Sequence, residues 1–191
     1  CSINLGKTKL AGRVICIYAG NMGIAQDMNS LLNLAAALRD VDQIGFVFIG
    51  RGSESGKIRE RIIRDSLFNV LIFDEIDTGE IYELYKQCHI GLVALDSRHQ
   101  THNLPGKWFD YLNSGLASFA LVNPGNDMLD LINKHNIGRV YAHRDMSELR
   151  KGILDLVDQI KKDPGYCLRS KKLAFDLFSA EKAASQIMAG H

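Results

Sequence analysis

Apolar runs rich in β-branched residues alternate with amphipathic segments along nearly the whole chain, and this alternation constrains the fold most. The first run, Val14–Ala19, has the sequence VICIYA, without a charged side chain. A strand with one face in water would alternate polar and apolar residues, so this run predicts a strand buried on both faces. Strands of this kind, separated by amphipathic helices, predict a parallel sheet covered by helices on both sides.

The same patterns place the remaining elements. The predicted strands are residues 14–19, 45–49, 70–73, 90–95, 118–122 and 138–141. The predicted helices are residues 25–39, a segment opening at 53–56, 78–88, a segment opening at Pro105 or Gly106, 126–135, 146–161, 166–178 and 180–188. Asp77 and Glu80 have the spacing of a capping box, which favours a helix start at Thr78. The fold class is therefore α/β, with about six strands and a helical C-terminus.

Length and composition fit one well-buried domain over residues 1–191. Of these residues 46% are hydrophobic and 24% are charged, which is ordinary for a globular protein. The net charge of +1 gives no whole-chain argument for binding nucleic acid. No apolar run approaches the roughly eighteen residues of a membrane span. The chain begins at Cys1 without a signal-peptide pattern, so we expect it to be a piece of a longer protein.

The four cysteines are widely spaced and form no CxxC pair. Cys16 and Cys88 stand in apolar surroundings, which favours buried free thiols over disulfides or a metal site. We therefore expect a reducing compartment.

Ligands of such sheets bind at the carboxyl ends of the strands, where four loops follow: residues 20–23, 50–52, 74–77 and 96–106. Gly20 and Gly23 would let the backbone approach a phosphate, although two glycines also suit a simple tight turn. Their spacing is not the GxGxxG fingerprint, and Gly50 and Arg51 stand where a dinucleotide site needs an acidic residue. This argues against NAD.

The most informative segment, residues 103–115, reads NLPGKWFDYLNSG. A helix opening at Pro105 or Gly106 would present free N–H groups and partial positive charge, to which Lys107 adds a full charge. Asp110, three residues on, lies on the same helical face. An anion cradle followed by a carboxylate that could bind two hydroxyls suits the diphosphate and ribose of a nucleotide-sugar.

The pattern Pro-Gly-Lys-x-x-(Asp/Glu)-Tyr-x-x-x-Gly, followed by an apolar strand, resembles the donor-binding helix of bacterial retaining glycosyltransferases of family four. The resemblance extends from residues 18–23 to residues 178–184. It implies one Rossmann-like half of a GT-B fold, with an acceptor-binding N-terminal domain elsewhere in the full-length protein. The implied substrate is a nucleotide-sugar, most commonly UDP-linked, with no cofactor. The implied setting is bacterial polysaccharide or lipopolysaccharide biosynthesis, in the cytoplasm or at the inner face of the membrane, on a lipid-linked acceptor.

The resemblance also implies a set of site residues. The expected donor-binding residues are Gly20, Asn21, Met22, Gly23, Arg51, Phe73, Leu104, Pro105, Gly106, Lys107 and Asp110. The family commonly has Glu-x₇-Glu, and Asp110 matches its second position, but His102 stands at the first. His102 and Asn103 are the nearest candidates for contact with the transferred sugar, and the catalytic residues stay unassigned.

Two further features depart from simple expectations. Many members of the family carry a lysine shortly after the first glycine loop, whereas in this chain Gln26 or another polar residue stands near that place. Asp40-Val41-Asp42 has the Asp-x-Asp form that binds metal and diphosphate in other glycosyltransferases, but it precedes the second strand, away from the ligand edge. We therefore expect no metal.

Several candidates also have structural interpretations. A solvated loop position is the commoner interpretation of Arg51, His99 and His102. His89 and His135 are expected to be structural, and Trp108 and Phe109 are expected to anchor their helix in the core. Two other functions stay open: a GT-B-like nucleotide-sugar epimerase, and a non-catalytic flavodoxin- or receiver-like nucleotide-binding module. As part of a transferase, the isolated chain is expected to be inactive.

Overall fold

In the part of the chain that the structure describes, six parallel strands form a single sheet. The structure, a computed structural model, describes residues 1–96, 98 and 104–178. The predicted helix 180–188 and the candidates His99, His102 and Asn103 lie outside these residues. The strands are β1 Val14–Ala19, β2 Ile44–Ile49, β3 Val70–Phe73, β4 Ile90–Ala94, β5 Ala117–Leu121 and β6 Gly138–Tyr141. Their order, β3-β2-β1-β4-β5-β6, confirms the predicted parallel α/β sheet.

Seven helices connect and cover these strands in the described residues. They are α1 Met28–Ala37, α2 Ser55–Arg64, α3 Thr78–Tyr85, α4 Gly106–Ser114, α5 Met128–His135, α6 Met146–Lys162 and α7 Gly165–Phe178. Helices α1, α2 and α6 pack on one face through side chains such as Leu31, Ile58 and Ile153. Helices α3, α4, α5 and α7 pack on the other through side chains such as Trp108 and Leu173. Both faces are covered, as the unbroken apolar strands predict.

Within the described ranges no helix is long and apolar enough to span a membrane. Cys16 and Cys88 are buried free thiols, as predicted, and Cys1 and Cys167 are exposed free thiols. Burial raises the pKa of Cys16 and of Cys88 well above the ordinary value, so both stay protonated near neutral pH.

The predicted helix starts at Thr78, at Pro105 or Gly106 and at Met146 are confirmed, whereas those of α1 and α5 were wrong by three and two residues. Helix α1 begins at Met28 rather than near Ala25, because the Asp27 side chain caps it by accepting from the Ser30 N–H. Proline at 105 is the residue before the first helical turn, with extended backbone. The predicted capping box is absent from α3: Asp77 makes no side-chain cap bond, and the Glu80 carboxylate accepts from Ser2 instead.

The Asp-x-Asp segment lies where the sequence predicts, at the amino end of β2. Asp40 pairs with Arg150 at 3.1 Å and Asp42 with Arg13 at 3.7 Å. Both carboxylates therefore form ion pairs at the amino ends of the strands, opposite the end where a ligand is expected.

Strands β1 and β4 are neighbours at the centre of the sheet, and the chain leaves them in opposite directions. Helix α1, which follows β1, packs on one face, whereas α4, which follows β4, packs on the other. This reversal is a topological switch point, where open α/β sheets leave a crevice outside the strand carboxyl ends.

Candidate functional site

A cavity of about 490 Å³ lies at the carboxyl ends of the strands, beside the switch point. Its lining comprises Ala19, Gly20, Asn21, Ile49, Gly50, Arg51, Glu75, Ile76, Thr78, Ile81, Tyr85, Lys107 and Asp110. The volume is in the range of small-molecule sites. A cleft of similar size, about 500 Å³, lies at the opposite edge near Cys88 and Leu116. Only the first brings together predicted loops from three strands, so we treat it as the candidate site.

The floor of this cavity is formed by two glycine loops in direct backbone contact. The Gly20 N–H donates to Ile49 O at 2.9 Å, and the Met22 N–H donates to Arg51 O at 2.8 Å. Gly50 has φ +140°, and a Cβ there would lie 2.0 Å from Gly20 O. Only glycine satisfies both constraints, which explains why the second loop carries it.

Lys107 extends from the first turn of α4 to the loop after β1. Its Nζ donates to Tyr18 Oη at 2.6 Å and to Gln26 Oε1 at 2.9 Å, and it lies 3.8 Å from the centroid of the Tyr18 ring. Burial lowers the pKa of Lys107 to about 7. The lysine is therefore held by loop acceptors, and its charge responds to pH near neutrality.

Asp110 lines the same cavity from the next turn of α4 and does not pair with Lys107. Its Oδ1 accepts from the Tyr82 hydroxyl of α3 at 3.0 Å. This hydrogen bond raises the pKa of Tyr82 because the neighbouring carboxylate favours the protonated phenol. Lys107 and Asp110 thus present separate polar groups to one cavity.

Arg51 stands at the mouth of the cavity with its side chain 83% exposed. Its guanidinium Nε lies 2.9 Å from Oε2 of Glu75, which follows β3. An exposed pair of this kind contributes about 0–1 kcal/mol, so a ligand could displace it at little cost.

The residues that line the cavity do not include the predicted site residues Met22, Phe73, Leu104 and Gly106. The Met22 side chain is fully buried in the core below the loop, so the loop offers a ligand its backbone there. Phe73 and Leu104 are partly buried and pack against the core on the α4 face. Gly106 is the exposed first residue of α4, and a Cβ there would meet nothing within 4 Å.

Helix α4 is fixed to the sheet by two aromatic residues. The buried Trp108 donates from Nε1 to Ser118 Oγ at 2.8 Å, which confirms it as a core anchor. The Tyr111 hydroxyl accepts from the Ala19 N–H at 2.9 Å, and its ring lies 2.4 Å from where a Cβ of Gly91 would stand. Helix α4 is therefore tied to the end of β1 through Tyr111 and to β5 through Trp108.

Sequence reasoning gave no role to Tyr18 and Tyr82, which contact Lys107 and Asp110 respectively. Tyr18 lies inside the apolar strand β1, where the sequence pattern predicts a core side chain and not a polar contact. The signal that could have found it is its place two residues before Gly20, at the carboxyl end of the central strand.

Among the remaining candidates, His89 accepts from the Ile15 N–H through Nδ1, a structural contact as expected. No cluster of three or more His, Cys, Asp or Glu side chains in the described ranges could hold a metal ion.

The strand order and the position of the cavity define a Rossmann-like domain of the doubly wound kind. Solved structures that share this fold include several glycosyltransferases, and the chain aligns with one part of the longer ones. No family profile matches the sequence, and no curated protein matches it either.

Three of these structures illustrate the similarity. TarM from S. aureus, solved with UDP, superposes with a TM-score of 0.75 at 14% identity over 93% of this chain and 35% of its own. Anabaena HepE with UDP-glucose gives 0.73 at 14% identity over 95% and 49%. The C-terminal domain of LpcC, a group 1 glycosyl transferase from Francisella tularensis, gives 0.62 at 16% identity over 87% and 84%. The chain thus spans about a third to a half of the two longer chains and most of the isolated C-terminal domain.

Proposed function

We propose that this chain is the nucleotide-sugar-binding domain of a retaining glycosyltransferase that uses a UDP-linked donor. One observation carries the proposal: Lys107, Asp110 and the open glycine loops meet in a single cavity at the β1/β4 switch point. A cation, a helix N-terminus and a hydroxyl-binding carboxylate are the groups that a nucleoside diphosphate needs.

The diphosphate would lie between the N-terminus of α4 and the loop after β1. Lys107 supplies a positive charge there, and the first turn of α4 supplies N–H groups and the positive end of the helix dipole. During transfer the bond between the sugar C1 and the diphosphate oxygen breaks, and negative charge grows on the leaving group. Positive groups fixed in advance stabilise that charge, and no side-chain nucleophile is assigned.

The ribose would lie over Asp110. Residues three apart on a helix are separated by about 4.5 Å along its axis, so Lys107 and Asp110 can address neighbouring parts of one ligand. The base would then reach the apolar end of the cavity, formed by side chains of Ile49, Ile76 and Ile81. Apolar walls with a few polar groups at fixed places are typical of such pockets.

For the whole protein we propose transfer of a hexosyl or N-acetylhexosaminyl group in bacterial polysaccharide or lipopolysaccharide biosynthesis. An N-terminal domain would hold the lipid-linked acceptor at the cytoplasmic face of the inner membrane. The support comes from neighbours of the same fold, such as WaaG, a glycosyltransferase involved in lipopolysaccharide biosynthesis, which superposes at a TM-score of 0.70 with 16% identity.

The two alternatives have less support. Flavodoxin- and receiver-like sheets have the strand order 2-1-3-4-5, whereas the order here is β3-β2-β1-β4-β5-β6. An epimerase needs dedicated acid and base groups, and the described lining of the cavity contains no histidine and only the carboxylates of Glu75 and Asp110.

Calorimetry with UDP in the presence of a chelator tests the proposal, because the charges of the site replace a metal. Saturable binding of UDP, followed by a panel of nucleotide-sugars, would identify the donor. Absence of binding to any nucleoside diphosphate would overturn the donor site. Binding only after Mg²⁺ or Mn²⁺ is added would overturn its independence of metal.

A further inference from the structure

The head of the Lys107 side chain lies beyond the face of the sheet on which its own helix packs. Helix α4 belongs to the core that contains Trp108, whereas the Tyr18 side chain belongs to the core on the opposite face. The lysine crosses the end of β1 at Gly20, where a Cβ would lie 3.6 Å from Lys107 Cε. The helix that bears Lys107 thus packs on one face of the sheet, whereas the ammonium group lies beside a side chain of the opposite face.

Two acceptors fix the ammonium at the end of this path. Tyr18 Oη and Gln26 Oε1 accept from Nζ at 2.6 and 2.9 Å and lie 3.2 Å from each other. The Tyr18 hydroxyl donates to the Asn21 carbonyl, which ties the pair to the loop after β1. These contacts leave Nζ little freedom to move away from residues 20–23.

An ammonium has three N–H donors, and Tyr18 and Gln26 take two of them among the described residues. The third remains available to a ligand oxygen, and Lys107 itself lines the cavity together with Gly20 and Asn21. The other charged groups of the lining are engaged elsewhere: Arg51 with Glu75, and Asp110 with Tyr82.

We propose that Gln26 and Tyr18 are positioning residues that fix the Lys107 ammonium over residues 20–23, where it binds a diphosphate oxyanion. The inference rests on the proposed function. The affinity for a diphosphate should depend on where the ammonium group lies and not on which helix or loop bears the lysine. A lysine at position 26 should therefore replace Lys107, since the Gln26 side chain already reaches Nζ through its terminal Oε1 and a lysine side chain is longer than a glutamine side chain.

Inorganic pyrophosphate is the probe, because it engages neither a ribose nor a base site. Loss of a charge-assisted hydrogen bond typically weakens binding by roughly ten- to a hundredfold, so Lys107→Met should show that loss by calorimetry. The double variant Gln26→Lys/Lys107→Met should recover affinity to within about fivefold of the wild type. Gln26→Leu, which keeps Lys107 and removes its acceptor, should weaken binding by roughly three- to tenfold.

A matched control exists at the other edge of the sheet. Lys161 Nζ donates to Gln43 Oε1 at 2.8 Å, an exposed pair of the same chemistry far from the cavity. Lys161→Met and Gln43→Leu should leave pyrophosphate binding unchanged. A double variant at 26 and 107 that binds as weakly as Lys107→Met, or a Gln26→Leu chain with full affinity, would overturn the proposal.

A readout without ligand separates this proposal from the proposed function. NMR titration of the lysine side-chain signals in the free protein should show Lys107 titrating at a different pH in Gln26→Leu and in Tyr18→Phe than in the wild type. An unchanged titration overturns the positioning role, whatever UDP does. A wild-type chain that binds neither UDP nor pyrophosphate overturns the proposed function.

Discussion

Tyr82 of α3 donates a hydrogen bond from its hydroxyl to Oδ1 of Asp110 of α4, over 3.0 Å. The bond joins two helices that both border the cavity, and it orients the carboxylate from outside. The second carboxylate oxygen is thus presented in a fixed direction, which favours specific contact with vicinal hydroxyls.

Asp110→Asn should weaken UDP binding by roughly ten- to a hundredfold, because a charge-assisted hydrogen bond typically contributes about 1.5–3 kcal/mol. Pyrophosphate, which has no ribose, should bind as well as before. Tyr82→Phe should cost UDP a few-fold only, since it removes the orienting group and not the ligand contact. Calorimetry with both ligands checks this, and unchanged UDP affinity in Asp110→Asn would withdraw the ribose assignment.

The affinity for UDP should depend on pH through Lys107, whose pKa burial lowers to about 7. A bound diphosphate favours the ammonium and raises that pKa. Above about pH 7 the affinity should fall up to roughly tenfold per pH unit until the pKa of the complex is reached. Calorimetry in buffers of different ionisation enthalpy should detect proton uptake near pH 8. The same pH dependence in Lys107→Met would contradict this origin.

Removing Lys107 should stabilise the fold near neutral pH. Its folded-state pKa of about 7 lies below its ordinary value of 10.5, so between these values the unfolded chain binds a proton that the folded chain lacks. Wild-type stability therefore rises with pH across this window, and the penalty of burial is complete below about pH 7. Lys107→Met should be more stable by on the order of 1–2 kcal/mol near pH 6.5, a gain that disappears near pH 10.5. Denaturant unfolding measures it, with the exposed Lys161→Met as control.

Gly50→Ala should destabilise the domain strongly. The new Cβ would stand 2.0 Å from Gly20 O, at a φ of +140°, so the two loops must separate; we expect roughly 2–4 kcal/mol. Gly56 in α2 is the matched control, since a Cβ there meets nothing within 4 Å and the alanine favours the helix by up to about 1 kcal/mol. Equal melting temperatures for the two variants would show that the loops are not interlocked.

The four central strands could be predicted from the sequence because their residues are buried on both faces, and the half-buried edge strands β3 and β6 are also mostly apolar. Val14–Ala19, Val70–Phe73 and Gly138–Tyr141 begin and end as predicted, β2 and β4 differ by one residue at one end, and β5 is shifted by one residue. The helix start at Thr78 was also predicted correctly, but its capping interaction was not, because a distant residue competes for one of the two carboxylates. Asp77 and Glu80 have the spacing of a capping box, but Ser2, from a segment far away in sequence, takes the Glu80 carboxylate.

The cavity could be predicted in part, since ligand sites in such sheets follow the strand carboxyl ends. This rule selected the loops at Gly20, Gly50 and Lys107, which the fold brings together. The contact between Lys107 and Gln26 could not be predicted, because it depends on where α4 meets the end of β1. The structure shows the lysine of α4 beside that glutamine.

The interlocked glycine loops also determine what a ligand meets on arrival. Because Gly20 and Met22 are bonded to the strand and loop of Ile49 and Arg51, the floor of the cavity has no separate segments left to order. Immobilising a mobile loop costs conformational entropy that subtracts from affinity. Here that cost is met during folding, so a diphosphate as small as pyrophosphate should keep most of the affinity that the floor can give.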